Sequence, residues 1–139
     1  MPDKERILSK IDELDTYLDE LIEIVPDTYE EYEMSIEKKR SCERLLHISI
    51  ESVIDICMLL VKDLKLGMPV EEEDVFDKLE KKKIFSKKLI KKLREMKGLR
   101  NILVHRYGSV DDEIVYDSLS RELDDFHEFI DYVLKFTKK

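Results

Sequence analysis

The sequence predicts an all-α fold, an antiparallel up-down bundle of four to five helices. Apolar residues recur at spacings of three and four along nearly the whole chain, the period of a helix with one buried stripe. Gly and Pro number only three each in 139 residues, which leaves few turns. Charged and hydrophobic residues each make up 42% of the chain, the mixture that amphipathic helices need. No strand-like alternation competes with that period.

The first helix is expected from Asp3 to about Ile24, striped by Ile7, Leu8, Ile11, Leu14, Leu18, Leu21, Ile22 and Val25. Pro26 ends it, and Asp27 or Thr28 can cap the next. A second helix is expected from about Thr28 to Leu64, long for a globular domain. Its first half is polar, with Tyr29, Tyr32, Ile36 and Lys39 on one side. In its second half Leu46, Ile50, Val53, Ile54, Cys57, Leu60, Val61 and Leu64 form one face, which Ile48, Ile56 and Leu59 widen. A helix apolar on most of its circumference must be covered on two sides. Its own bundle supplies one cover, and a second copy of the chain is expected to supply the other, so a homodimer is predicted.

Gly67 and Pro69 stop that helix. A short helix around Glu73–Lys82 follows, carrying Val75, Phe76 and Leu79. Ser86 caps the next, whose stripe is Leu89, Ile90, Leu93, Met96, Leu99, Ile102 and Leu103. Gly98 inside it costs about 1 kcal/mol against alanine, so a packing or ligand reason is expected. Asp111-Asp112 opens the last helix, about Asp112–Thr137, which buries Val115, Leu119, Leu123, Phe126, Ile130, Val133 and Leu134. Its Tyr116, Phe126, Phe129, Tyr132 and Phe136 read as core and interface rather than base-stacking platforms.

The length fits one domain over residues 1–139 with a real core. No stretch of about 18 apolar residues and no leader pattern is present, so a cytoplasmic protein without membrane attachment is expected. Cys42 and Cys57, in one apolar stretch, read as buried small hydrophobes rather than a disulfide or metal site. The net charge of −8 argues against nonspecific nucleic-acid binding by the whole surface. Its distribution is uneven. Residues 1–35 hold twelve acids against Lys4, Arg6 and Lys10, whereas residues 78–106 hold twelve bases against Glu80 and Glu95. That second stretch can hold phosphates, with Lys91, Lys92, Arg94, Lys97 and Arg106 as candidate RNA contacts. Its alternative reading is a solvated helix face, or a docking surface for the chain's own acidic segment.

Candidate chemistry concentrates at Gly98-Leu99-Arg100-Asn101-Ile102-Leu103-Val104-His105-Arg106-Tyr107-Gly108, where polar residues interrupt an apolar run near a glycine turn. An imidazole can take or give a proton at a ribose 2′-hydroxyl or a leaving 5′-oxygen. An arginine offers a permanent fork of donors to a phosphate as charge builds on it. Arg100 and His105 are five residues apart, about 140° around an ideal helix, and do not share a face; Asn101 and His105 do. A joint site therefore needs fraying at the helix end or a partner chain bringing its own pair alongside. A plainer reading makes His105 a helix-end residue that caps carbonyls. One or both of Glu51 and Asp55, four apart on a largely apolar helix, are expected to be buried and bonded to Arg100 or Arg44. Glu43, His47, Glu51 and Asp55 do not make a metal set: Arg44 stands three before His47, where a helical metal site needs a carboxylate. No metal or other cofactor is expected.

Arg100-x4-His105-x-Tyr107 resembles the R-x4-H-x-Y signature of HepT-type HEPN proteins. The run Glu43 to Cys57, with Glu51-x3-Asp55, resembles the family's long helix. Gly67-Met68-Pro69 before an acidic stretch, and Met96-Lys97-Gly98-Leu99-Arg100-Asn101, are similar to its usual sequence too. The likeness covers about residues 5–135. It implies a dimeric helical bundle whose Arg–His pairs line a shared cleft, acting as a metal-independent endoribonuclease toxin on RNA, either tRNA or mRNA. It also implies a partner, a minimal nucleotidyltransferase antitoxin that adds AMP to the motif tyrosine. On that resemblance Arg100 would stabilise the phosphate, His105 would transfer protons, Asn101 would orient His105, and Tyr107 would accept AMP. The competing expectation is a non-catalytic dimeric module that binds a nucleotidyltransferase or a nucleotide.

Overall fold

Each amphipathic stripe needs an apolar partner, and the way six stripes find partners sets the architecture. The computed structural model describes residues 3–105 and 110–138. Its helices are α1 (Lys4–Ile24), α2 (Tyr29–Met34), α3 (Ile36–Asp63), α4 (Glu72–Lys81), α5 (Lys87–His105) and α6 (Asp112–Thr137). The described residues include no strand, so the predicted all-α class stands, with six helices in place of four to five.

The extra helix comes from the segment expected to run unbroken from Thr28 to Leu64. Thr28 does cap it, its hydroxyl accepting from the Glu31 amide at 3.2 Å. Ser35 then adopts extended backbone, ends α2, and accepts from the Lys38 amide at 3.2 Å to start α3. Tyr32 on the short α2 is fully buried and lies 5.3 Å from the Tyr116 ring, and Tyr116 donates its hydroxyl to the Pro26 carbonyl at 2.9 Å. These contacts tie the α1–α2 turn to α6.

α3 is the axis of the bundle and packs against all five other helices. Leu46, Ile50, Val53, Ile54, Ile56, Cys57, Leu59, Leu60 and Val61 are buried, and Ser49 and Ser52 are buried with them. Within one chain these neighbours cover most of α3, with Ile48 half-buried and Met58 45% exposed, so the breadth of its apolar face does not by itself require a second copy. α1 buries Ile7, Ile11, Leu14, Leu18 and Leu21 as expected, while Ile22 is half exposed. Cys42 and Cys57 are both buried and free, and burial pushes both thiols up, Cys42 to about 11, as befits inert core residues.

After α3 the chain turns through Lys65 (φ 53°) and Gly67 (φ 103°). α4 then docks through Val75, Phe76 and Leu79. Ser86 caps α5 by accepting from the Leu89 amide at 3.1 Å. Asp111 caps α6 by accepting from the Glu113 and Ile114 amides. None of the described helices is long and apolar enough to cross a membrane.

Candidate active site

The apolar stripe of α5 fades toward its C-terminus. Leu89, Ile90, Leu93, Met96 and Leu99 are buried, residues 101–104 are half-buried, and His105 is exposed. The helix rises out of the core at its end and delivers His105 to solvent. It is regular through His105, so fraying within this stretch does not bring Arg100 and His105 together. On such a helix they stand about 7.5 Å apart along the axis and about 140° apart around it. Gly98 is exposed, and a Cβ added there would meet nothing within 4 Å. Among the described residues the expected packing reason for this glycine is therefore absent.

Arg100 turns inward, with 13% of its side chain exposed. Its Nη1 donates to Glu51 Oε1 of α3 at 2.7 Å, and its Nη2 donates to Glu72 Oε1 of α4. Its buried Nε has no hydrogen-bond partner among the described residues. Glu51 Oε1 also lies 3.6 Å from His47 Nε2, and His47 Nδ1 lies 3.4 Å from Arg44 Nη1. A polar chain thus runs Arg44–His47–Glu51–Arg100–Glu72 across α3, α5 and α4. A largely buried guanidinium requires such partners, and two carboxylates on one cation leave its surroundings net negative.

Several predicted residues lie elsewhere than expected. Glu51 does pair with Arg100, but Asp55 pairs with Lys10 of α1 at 3.5 Å. One turn further along α3, Asp55 faces α1 instead of α5. Both acids are half-buried and neither fully, with 37% and 45% of their side chains exposed. Asn101 is half-buried, and its side chain makes no hydrogen bond among the described residues. Lys92 binds Asp125 (3.0 Å) and Glu128 (2.9 Å) of α6, and these bonds hold its ammonium above its ordinary value. Arg94 is held by Glu73 at 3.1 Å and by Asp77 and Glu80, and Lys97 by Glu73 at 2.9 Å. The basic segment does dock on the chain's own acids, those of α4 and α6 rather than those of residues 1–35. Lys91 is exposed, together with Lys81, Lys82, Lys83, Lys87 and Lys88 at the α4–α5 end. Arg106 and Tyr107 lie outside the described residues.

Sequence reasoning missed Glu72 and Glu73. Their one local signal is an acidic helix start, which the helix dipole explains without any reference to α5. Among the described residues, no group of three or more His, Cys, Asp or Glu is arranged to hold a metal ion.

Residues 14–133 match the family described as Ribonuclease HepT-like. The chain is 29% identical over 124 residues to a tRNA nuclease HepT of Aphanizomenon flos-aquae, covering 89% of this chain and 84% of that protein. It is 35% identical over 83 residues to an mRNA nuclease HepT of Shewanella oneidensis, covering 60% of this chain and 62% of that one. Among solved structures, a tri-AMPylated Shewanella oneidensis HEPN toxin in complex with its MNT antitoxin superposes with a TM-score of 0.86. That match is 27% identical and covers 93% of this chain and 96% of the other. With the family pattern spanning nearly all of its bundle, the chain belongs to the HepT-like ribonuclease family.

Proposed function

We propose that this protein is a metal-independent endoribonuclease toxin, with Arg100 and His105 as its catalytic pair and a minimal nucleotidyltransferase as its antitoxin. One observation carries the reading. The C-terminal part of α5 holds a guanidinium fixed between two helices, about one and a half turns from an exposed imidazole. Relatives named for tRNA and mRNA cleavage support RNA as the substrate. The angular offset of Arg100 and His105 on one regular helix supports a homodimer whose two pairs face one cleft. There one imidazole removes the 2′-hydroxyl proton, the 2′-oxygen bonds to phosphorus, and the bond to the 5′-oxygen breaks. The second, protonated imidazole gives its proton to that leaving oxygen. Arg100 stabilises the charge that builds on the phosphate. AMP joined to Tyr107 would place a bulky anion beside the cleft and shut it, a reading supported by the AMPylated state of the similar toxin.

The test is cleavage of labelled tRNA and mRNA by purified protein in excess chelator. Arg100→Ala and His105→Ala are each expected to lower the rate at least about 100-fold. Tyr107→Phe is expected to leave cleavage intact while abolishing AMP transfer by the nucleotidyltransferase. Undiminished cleavage in both the arginine and histidine variants would overturn the site.

A further inference from the structure

α4 has two working edges. Val75, Phe76 and Leu79 lie in the core. Glu73, Asp77 and Glu80 line the adjoining edge, and Glu72 starts the buried stripe itself, three residues before Val75; each of the four acids meets a base of α5. Glu72 accepts from Arg100, Glu73 from Arg94 and Lys97, and Asp77 from Arg94, while Glu80 lies 3.8 Å from Arg94. Four anions along about 12 Å of one helix are thus laid on Arg94, Lys97 and Arg100, three cations repeating every third residue on the next. A row of anions against a row of cations is the contact that a nucleic-acid backbone makes with a basic helix.

We propose that the acidic edge of α4 is an internal phosphate surrogate. It occupies, on Arg94, Lys97 and Arg100, the positions that RNA phosphates take when substrate binds. The proposal rests on the ribonuclease reading and adds a determinant of RNA affinity to it. Two features separate this role from structural support. First, the acids are not what holds α4 in place. Val75, Phe76 and Leu79 dock the helix, whereas Glu72 and Glu73 stay 38% and 43% exposed above their less exposed partners Arg100 (13%) and Lys97 (19%). They can release their bases without the helix leaving the core. Second, Arg100 faces two carboxylates with one positive charge. Glu51, on the long central helix and also beside His47, suffices to pair it, and Glu72 is the surplus anion. A phosphate arriving beside both carboxylates would meet net negative charge, so it binds by displacing Glu72.

Displacement has a salt signature. Phosphates that join lysine or arginine release counterions, but each freed carboxylate takes some back, so the native chain should show a shallow dependence on salt. The experiment measures binding of a fluorescein-labelled oligouridylate in a His105→Ala background, where the probe is not cut. Adding Glu72→Gln and Glu73→Gln is expected to tighten binding about five- to tenfold and to steepen its salt dependence. Arg100→Ala in that background should remove most of the gain. Unchanged or weaker binding by the Gln variant, or no binding by any variant, would overturn the surrogate. If the paired change lowers the melting temperature markedly, Asp77→Asn replaces it, with tighter binding again expected. Cleavage by the same variants with His105 intact is read separately. Tightened binding without cleavage would sink the ribonuclease reading alone, and cleavage without tightening would sink the surrogate alone.

Discussion

Glu122 lies on α6 with only 8% of its surface exposed, and its Oε2 finds no hydrogen-bond partner among the described residues. Burial pushes its carboxyl from an ordinary 4.5 up to about 7; Arg121 beside it opposes the rise, while Asp125 on the same helix and Glu95 on α5 add to it. Between those two values the folded protein binds more protons than the unfolded chain, so stability falls as pH rises and levels off above about pH 7. At about 1.4 kcal/mol per pKa unit the full effect is about 3 kcal/mol. Glu122→Gln removes the titration at nearly constant shape. The assay is urea unfolding of both proteins from about pH 5 to pH 8. The variant is expected to gain about 2 to 3 kcal/mol on the native protein across that range. Any fixed cost of the new amide shifts the whole curve without changing its slope. A stability difference that stays flat with pH would refute the buried, proton-binding state of Glu122.

Gly98→Ala is expected to raise stability by about 1 kcal/mol in thermal unfolding, because the position is helical and open. A simultaneous loss of RNA cleavage would mean that substrate backbone approaches there. Ser35→Ala is expected to cost about 1 kcal/mol, since it removes the cap at the α2–α3 break; Ser35→Thr should retain most of it. Phe76→Ala, at a fully buried site on α4, is expected to cost about 3 to 5 kcal/mol in urea unfolding.

The helices whose ends are set by local chemistry were legible from the sequence alone. α6 starts at the expected residue because Asp111 supplies a cap that can be read from neighbouring positions. The α2–α3 break was not legible. Met34-Ser35-Ile36 contains neither Gly nor Pro, and the hydroxyl that ends one helix and starts the next looks like any helix-surface serine. The step from the apolar breadth of α3 to a second copy was weak for a different reason. It tallied apolar positions on α3, but coverage depends on how closely neighbours approach, and the buried Ser49 and Ser52 lie among five helices packed on this one. Periodicity reports which faces are apolar and not how many neighbours each face has.

The site was half legible for a related reason. Arg100 and His105 announce themselves within one short motif, whereas the groups that set their electrostatics are remote in sequence. Glu51 and Glu72 reach Arg100 from 49 and 28 residues away. Summing charge along residues 78–106 treats every base as free, yet in the fold Lys92, Arg94, Lys97 and Arg100 are all paired to carboxylates of α3, α4 and α6. The exposed lysines of α5, Lys87, Lys88 and Lys91, stand about 21 to 27 Å along the helix from His105. Between those lysines and His105 along α5 stand Arg94, Lys97 and Arg100, whose donors already hold acids. On the proposed reading, RNA binding at this end of α5 would be an exchange of anions rather than the filling of an open basic patch. An exchange of that kind reconciles a chain of net charge −8 with a polyanionic substrate, because the approaching phosphates replace carboxylates instead of adding to them.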